Sequence, residues 1–259
     1  MDLTGRRILV FGVLTETSMG YRIAEAATRA GADVILANAP GRPSSIMGRI
    51  AGRLPKEPVA CLSADITEPG DLAALADGIA GHWEALDGVV HAVAFAPQDA
   101  LGGNFLNTPF ESVATAMNVS AFSLKALTVS VLPLLEKSEN RGSVVSLTFD
   151  ASVAWPAYDW MGPAKAALEA TNRYLARYLG PKGIRVNAVD SGPITTMASR
   201  SIPGFEELAE EWPLRAPLGW DTSDASPVAD AVVFLLSDAA RAITGQVLHV
   251  DGGVSAVGA

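Results

Sequence analysis

The stretch that decides the fold of this chain reads RILVFGVLTETSMG and spans residues 7–20. It opens with a short apolar run that ends in Gly12, which is typical of a buried β-strand. After Gly20 comes an alanine-rich run with helical spacing, and Gly31 predicts where that helix stops. The stretch therefore predicts a strand, a turn and a helix in direct succession.

The turn between this strand and helix has two interpretations. Glycines there let the backbone approach a pyrophosphate, and the helix N-terminus offers free N–H groups and a positive dipole. On this interpretation the residues that contact a dinucleotide are Gly12, Val13, Ser18 and Met19. The turn is longer than G-x-G-x-x-G and carries Ser18 where a glycine is expected, so an ordinary strand-to-helix connection stays open.

The rest of the chain repeats the alternation of strand and helix. Further strands are predicted at residues 33–38, 58–65, 88–95, 142–149, 184–190 and 245–253. Helical patterns lie between them, at residues 43–54, 68–85, 110–136, 159–179 and 227–237. A spacing of about 30 residues favours right-handed βαβ crossovers. We therefore predict an α/β fold, a single Rossmann-type doubly wound domain over residues 1–259, with about seven parallel strands and helices on both faces.

One segment, residues 197–220, interrupts the alternation. Proline and glycine divide it into short pieces, at Pro203, Gly204 and Pro213. Only residues 205–212 have a helical composition. Such a segment predicts a mobile, partly helical lid over a substrate.

Composition narrows the class of protein. A chain of 259 residues that is 49% hydrophobic can bury one large core. Charged residues interrupt every long apolar run and no signal-peptide core is present, so we expect a cytoplasmic protein without membrane spans. The net charge of −9 argues against nucleic acid or an anionic membrane as partner. The single cysteine, Cys61, fits a reducing compartment, and its apolar surroundings predict an inert core side chain.

A second informative stretch, FDASVAWPAYDWMGPAK, spans residues 149–165 and follows a predicted strand. Tyr158 and Lys165 are seven residues apart, so they share a face if a helix begins near Asp159, with Pro163 in its first turn. A phenol that donates a hydrogen bond would then lie beside an ammonium, at the strand end where α/β sheets bind ligands. The same spacing also occurs on ordinary amphipathic helices, and by itself it does not identify an active site.

The ends of the second and third predicted strands bear on the choice of nucleotide. After Asn38 no carboxylate is available for an adenosine ribose, and Arg42 is either a contact to a 2′-phosphate or a solvated loop residue. Asp65 and Ile66 follow the third strand and are placed to contact an adenine ring, although Asp65 can instead cap the next helix.

Small residues end the fourth predicted strand. Ala92 and Ala94, on either side of Val93, would let a cofactor lie close to the backbone. His91 stands just before them in an apolar run, which favours a core histidine with its hydrogen bonds satisfied over a catalyst. No metal site is predicted.

Taken together, four motifs resemble the short-chain dehydrogenase/reductase superfamily. They are TGRRILV at residues 4–10, the glycine turn at 12–20, NAV at 187–189 and TGQVLHVDGG at 244–253. Within this superfamily, the Tyr158-x6-Lys165 spacing resembles that of the enoyl-[acyl-carrier-protein] reductases. Two runs, PAYDWMGPAKAALE at 156–169 and RAPLGW at 215–220, are most similar to the actinobacterial type of these reductases, which is the isoniazid target in mycobacteria. The resemblance covers essentially the whole chain.

The resemblance implies an activity and roles for particular residues. It implies hydride transfer from NADH, with NADPH possible, to a 2-enoyl thioester carried on acyl-carrier protein or CoA, in a homotetramer of fatty acid synthesis. Tyr158 would stabilise the enolate, Lys165 would hold the nicotinamide ribose, and Phe149 would pack beside the nicotinamide and substrate. Ile194 and Thr196 would hold the carboxamide and pyrophosphate. Residues implied to line the acyl pocket are Met161, Met197 and Ile202.

The chain also departs from the family pattern. Asp190 and Ser191 precede Gly192 where the family usually has an alanine, and Thr195 stands where it usually has a basic residue. The lid looks shorter than in the mycobacterial type, which predicts a preference for short to medium acyl chains. A ketoreductase of the same superfamily and a non-catalytic nucleotide-binding protein remain as alternatives.

Overall fold

The structure, a computed structural model, describes residues 1–41 and 44–257, with backbone only for residues 44–47. Its strands are β1 Arg7–Phe11, β2 Asp33–Asn38, β3 Ala60–Ser63, β4 Gly88–His91, β5 Ser143–Thr148, β6 Arg185–Ser191 and β7 Val247–Val250. Its helices are α1 Met19–Arg29, α2 Ser44–Ala51, α3 Pro69–Ala80, α4 Phe110–Met117, α5 Ser123–Ser130, α6 Leu132–Leu135, α7 Met161–Leu179, α8 Phe205–Arg215 and α9 Ser226–Leu236.

The strands form one seven-stranded sheet in the order β3-β2-β1-β4-β5-β6-β7. Every neighbouring pair in it is parallel. The chain starts at the centre with β1, builds outward to β3 and then crosses to β4 on the other side. This is the doubly wound Rossmann-type order that the sequence predicts, and it brings the carboxyl ends of β1 and β4 together.

Alternation along the strands divides the core between the two faces of the sheet. In β1, Ile8 and Val10 pack with residues of α1 and α9, whereas Leu9 and Phe11 pack with residues of α3, α5 and α7. Successive strand residues point to opposite faces, so both faces of a central parallel strand must be apolar. That requirement explains why β1 reads as a continuous apolar run.

The predicted helix at residues 110–136 is not continuous. The structure has α4, one π-helical stretch at Asn118–Phe122, then α5 and α6. Within the π-helical stretch, the Ser120 hydroxyl accepts from the Phe95 N–H and donates to the Phe95 carbonyl, both at 2.9 Å. These bonds tie the helix to the loop after β4, and such π-helical bulges often occur beside functional sites.

Two further predictions are wrong. Cys61 is exposed, because β3 is the edge strand of the sheet and its residues alternate between half-buried and exposed. The lid is not divided at Pro213, because α8 continues through that proline to Arg215. Trp212 holds the helix there, since its buried indole donates to the Asp251 carbonyl at 2.8 Å. Within the described ranges, no helix combines the length and the apolar character needed to cross a bilayer.

Candidate active site

The first part of the site is the turn between β1 and α1, which lies against the end of β4. Gly12 has a φ of 110°, and a Cβ built on it would lie 2.1 Å from the Ala92 carbonyl oxygen. A Cβ on Gly20 would lie 2.8 Å from the Gly12 oxygen. Only glycine fits at such distances, so the turn, the start of α1 and the backbone after β4 form one tightly packed floor.

Ser18 shapes this turn. It is the N-cap of α1, and its oxygen accepts from the N–H groups of Leu14 and Tyr21 at 3.2 and 3.4 Å while its hydroxyl donates to the Thr15 carbonyl at 2.6 Å. The Ser18 side chain therefore makes its hydrogen bonds within the turn, and a ligand bound at the start of α1 would meet backbone groups of the first turn of that helix. No acidic side chain in that turn opposes an anion.

The other residues predicted to contact the nucleotide take several positions around this floor. Val13 is fully buried and packs with the α1 and α9 core, so its side chain faces away from a ligand, while Met19 is half-buried. Ala92 and Val93 are half-buried and Ala94 is exposed, leaving the end of β4 open. Arg42 lies outside the described residues.

Asp65 and Ile66 stand where β3 ends. The Asp65 carboxylate accepts from the backbone N–H and hydroxyl of Thr67 at 2.9 and 2.7 Å, and these bonds lower its pKa. Asp65 thus closes a turn; the N-cap of α3 is Glu68, so the interpretation of Asp65 as that cap is wrong. Ile66 is buried in the core beside α3.

Tyr158 does not lie on a helix. The residues on either side of it, Ala157 and Asp159, have φ angles of 58° and 42°, and α7 begins only at Met161. The Asp159 carboxylate accepts from the N–H groups of Gly103 and Asn104 at 2.7 and 2.9 Å, which fixes this left-handed turn. The shared helical face that seven-residue spacing predicts is therefore wrong, and the turn sets the position of the phenol.

The Tyr158 ring packs edge-on against Phe149, with centroids 5.1 Å apart and an interplanar angle of 64°. It also packs against a small cluster that includes the buried Met161 and Leu101. Burial, followed by the negative charge of Asp190, raises the pKa of Tyr158 above its ordinary value. The side chain at this position is a protonated phenol that can donate a hydrogen bond at neutral pH.

Lys165 lies in the first half of α7 and is only 5% exposed. Its ammonium donates to the Leu147 carbonyl of β5 at 3.0 Å. Burial lowers the pKa of Lys165 to about 8, against the opposing influence of Asp190 and Glu169. An ammonium has three N–H donors, so two remain for other acceptors such as ribose hydroxyls.

His91 is fully buried, and its Nε2 lies 2.8 Å from the Ser123 hydroxyl. Burial and the nearby Lys165 charge lower the pKa of His91 to about 3, so the imidazole is neutral. The prediction of a core histidine is confirmed, except that its Nδ1 has no hydrogen-bond partner within the described part of the chain.

Two features of the site are not evident from the sequence. One is an aromatic cluster, which consists of Phe149, Trp155, Tyr158 and Trp212, with ring centroids 5.1 to 5.7 Å apart. The other is a pairing of Asp190 with His249. Two details of the sequence hinted at these features: Asp190 departs from the family pattern, and tryptophans recur in the predicted lid.

The loop after β6 carries the remaining predicted residues. Ile194 is buried, and its carbonyl accepts from the Ser199 hydroxyl at 2.8 Å. Thr196 exchanges hydrogen bonds with the same serine, at 2.8 to 3.2 Å. Beyond them, Met197 is 55% exposed and Ile202 is half-buried at the start of the lid.

Comparisons with known proteins place this arrangement in context. A family model described as enoyl-(acyl carrier protein) reductase matches residues 12–255. A protein of Mycolicibacterium smegmatis named enoyl-[acyl-carrier-protein] reductase [NADH] is 41% identical, over 98% of this chain and 97% of its own length. A protein of Mycobacterium avium with the same name is 38% identical over the same shares. The FabI enoyl-[acyl-carrier-protein] reductase [NADH] of Aquifex aeolicus is 38% identical over 99% and 93%.

Proposed function

Because this chain belongs to the enoyl-(acyl carrier protein) reductase family, we propose that it is an NADH-dependent oxidoreductase that reduces the double bond of a trans-2-enoyl thioester in fatty acid synthesis. The proposal is supported by a protonated phenol, Tyr158, and a buried ammonium, Lys165, which both feel the charge of Asp190, and by a glycine floor suited to a dinucleotide. The single exposed cysteine fits a reducing compartment, and we place the enzyme in the cytoplasm.

The residues present fit a dinucleotide. The cradle at Gly12 admits backbone but no side chain, and the first turn of α1 offers N–H groups to a pyrophosphate. Lys165 has donors left for the ribose hydroxyls, and the loop at Ile194 and Thr196 would hold the carboxamide end. When bound, NADH supplies the hydride that reduces the β-carbon.

The contribution of Tyr158 follows from where charge develops. Reduction at the β-carbon places negative charge on the thioester oxygen as an enolate, and a donor aimed at that oxygen stabilises the transition state. Because its pKa is raised, Tyr158 keeps its proton and acts as a hydrogen-bond donor, not as a base. The packed Phe149 ring restricts how the phenol can turn.

We propose that the aromatic cluster, together with Trp220, shields the reacting region from water. Trp155, Trp212 and Trp220 each donate an indole N–H to a backbone carbonyl, at 2.8 to 3.0 Å. A Cβ on Gly192 would lie 2.8 Å from the Trp220 ring, so this wall packs directly on the loop after β6. A pre-organised wall of this kind would strengthen a hydrogen bond from Tyr158 to the enolate.

A direct assay tests the proposed function. Purified protein is mixed with NADH and crotonyl-CoA or dodecenoyl-CoA, and absorbance at the NADH band is followed. We expect enoyl-dependent loss of NADH, slower loss of NADPH, and no reduction of a 3-ketoacyl-CoA, because the Tyr-x3-Lys spacing is absent and Gly162 stands four residues after Tyr158. Reduction of the ketone only would indicate a ketoreductase, and NADH binding without any reduction would indicate a sensor.

The lid predicts a dependence on acyl chain length. In α8, Phe205 and Trp212 are buried and Leu208 packs beside the aromatic cluster, whereas the acidic residues Glu206, Glu207, Glu210 and Glu211 are exposed. Each buried methylene contributes about 0.8 kcal/mol, roughly fourfold in affinity. We expect kcat/KM to rise between substrates of four and about twelve carbons and then to level off. A value that still climbs steeply at sixteen carbons would contradict a short acyl cavity.

We also propose that the enzyme is a homotetramer. Large side chains with apolar rings are exposed on α4, on the π-helical stretch that follows it and on α7: Phe110 is 77% exposed, Phe122 55% and Tyr178 68%. Apolar surface of this kind is suited to burial against a second copy of the chain. We expect light scattering to give four times the chain mass, and Phe122→Glu with Tyr178→Glu to yield smaller species. A monomeric wild-type protein would contradict the proposal.

A further inference from the structure

A buried carboxylate on β6 is hydrogen-bonded to an imidazole on β7. Asp190, on β6, is 2% exposed, and its Oδ2 is 2.6 Å from Nδ1 of His249 on β7. The two residues are direct partners in the register of these strands. His249 is half-exposed, so the pair connects the interior with solvent. Neither residue takes part in the proposed hydride transfer or in the stabilisation of the enolate.

Strand geometry places the Asp190 carboxylate on the α7 side of the sheet. Side chains alternate along a strand, and Val186, four residues earlier on β6, packs in the core that α7 covers. The strand partner of Asp190 on β5 is Thr148, which follows Leu147, the residue whose carbonyl holds the Lys165 ammonium. The carboxylate and the ammonium therefore lie at neighbouring positions on the same side of the sheet.

Other charged groups surround the pair, and each has its own contacts. Glu169 on α7 accepts from the Thr148 hydroxyl at 3.1 Å. Asp150, after β5, accepts from the Ser152 N–H and hydroxyl. Asp251, after β7, accepts from the N–H groups of Gly253 and Ser255. Asp190 differs from these three because its hydrogen-bond partner is an imidazole.

We propose that Asp190, held by His249, is a positioning residue whose negative charge keeps Lys165 an ammonium and Tyr158 a phenol. The inference rests on the proposed function. The electrostatics agree with it, since the Asp190 charge raises the pKa of Tyr158 and opposes the lowering of the pKa of Lys165 that burial causes. Burial raises the pKa of Asp190 itself, and His249 counteracts this, so the imidazole helps to keep the carboxylate ionised.

The sign of the expected pH effect follows from this. Lys165 binds NADH as a cation, so affinity is lost as pH rises through its pKa of about 8. Removing the Asp190 charge lowers that pKa further, and the alkaline loss of affinity then begins at a lower pH. Loss of the His249 imidazole raises the pKa of Asp190, so more of the carboxylate is protonated near pH 8. The alkaline loss of NADH affinity then moves in the same direction, by a smaller amount.

The test is the pH dependence of the NADH dissociation constant, measured by fluorescence titration for wild type, Asp190→Asn, Asp190→Glu and His249→Gln. We expect Asp190→Asn to move the alkaline loss of affinity to lower pH by about one pH unit or more. Asp190→Glu keeps the charge and should cause a smaller shift, and His249→Gln should shift the loss in the same direction by less than Asp190→Asn. Asp150→Asn, which removes a charge from the same neighbourhood, should leave the alkaline loss of affinity in place.

A readout without cofactor completes the test. The Lys165 ammonium is titrated by NMR of 13C-labelled lysine, with Lys165→Met to assign its signal, and Asp190→Asn should lower its titration midpoint. An unchanged midpoint in both NMR and NADH binding, or an equal shift in Asp150→Asn, would overturn the inference. Absence of NADH binding in the wild type would instead overturn the proposed function. If Asp190→Asn does not fold, the Lys165 midpoint in His249→Gln decides: a lower midpoint supports the inference and an unchanged one overturns it.

Discussion

Replacing Tyr158 by phenylalanine is expected to lower kcat by about 10²- to 10³-fold and to leave NADH affinity essentially unchanged. The phenol meets a full negative charge only when the thioester oxygen becomes an enolate, so its loss affects the transition state far more than any ground state. The phenylalanine ring retains the packing against Phe149 and Met161. Steady-state kinetics with dodecenoyl-CoA and fluorescence titration with NADH measure the two effects separately.

The matched control for this variant is Tyr174→Phe, which removes a hydroxyl from the exposed side of α7 and should leave kcat as it is. A Tyr158→Phe variant that loses NADH affinity along with kcat would place the phenol against the cofactor. A variant with undiminished kcat would show that another group donates to the enolate. Either result would contradict the assigned role.

Replacing Lys165 by methionine is expected to weaken NADH binding by about 10- to 100-fold, the range for hydrogen bonds that involve a charged group. Methionine has a similar length and no charge, so the buried position of Lys165 is filled without a charge that must be desolvated. We therefore expect the variant to fold at least as stably as the wild type. The loss of NADH affinity is the effect of the missing ammonium.

The pH dependence gives this second prediction a sharper form. Wild-type affinity for NADH should fall as pH rises through about 8, where the buried ammonium deprotonates. The methionine variant should show no such fall in affinity. The control is Lys137→Met, on an exposed position, which should keep both the affinity and its fall with pH. An unchanged NADH affinity in Lys165→Met would show that Lys165 does not bind the cofactor.

Local patterns in the sequence were sufficient for the fold. The apolar run of β1, its glycine turn and the spacing of later strands predicted the parallel sheet that the structure has. Strand periodicity and turn glycines are dictated by backbone sterics and by burial on both faces, which act over a few residues. Element boundaries were less well predicted: β3 spans Ala60–Ser63 where residues 58–65 were predicted, and β4 ends at His91 where residue 95 was predicted.

Residue types also sufficed to single out Tyr158 and Lys165, although the helix that was predicted to carry both residues does not include Tyr158. A left-handed turn held by Asp159 positions the phenol, and bonds to Gly103 and Asn104, more than fifty residues away in sequence, fix that turn. A spacing of seven residues carries no information about such contacts. The same limit applies to Cys61, whose exposure depends on its strand lying at the edge of the sheet.

The sequence by itself determined the doubly wound sheet, the glycine turn and the identity of the phenol and the ammonium, because these depend on local backbone preference and on residue chemistry. Only the tertiary structure decided how those groups are charged. The aromatic cluster and the Asp190–His249 pair join segments far apart in the chain, and the pairing of β6 with β7 puts carboxylate and imidazole in contact. Burial and neighbouring charge set a pKa, and both exist only after the chain has folded.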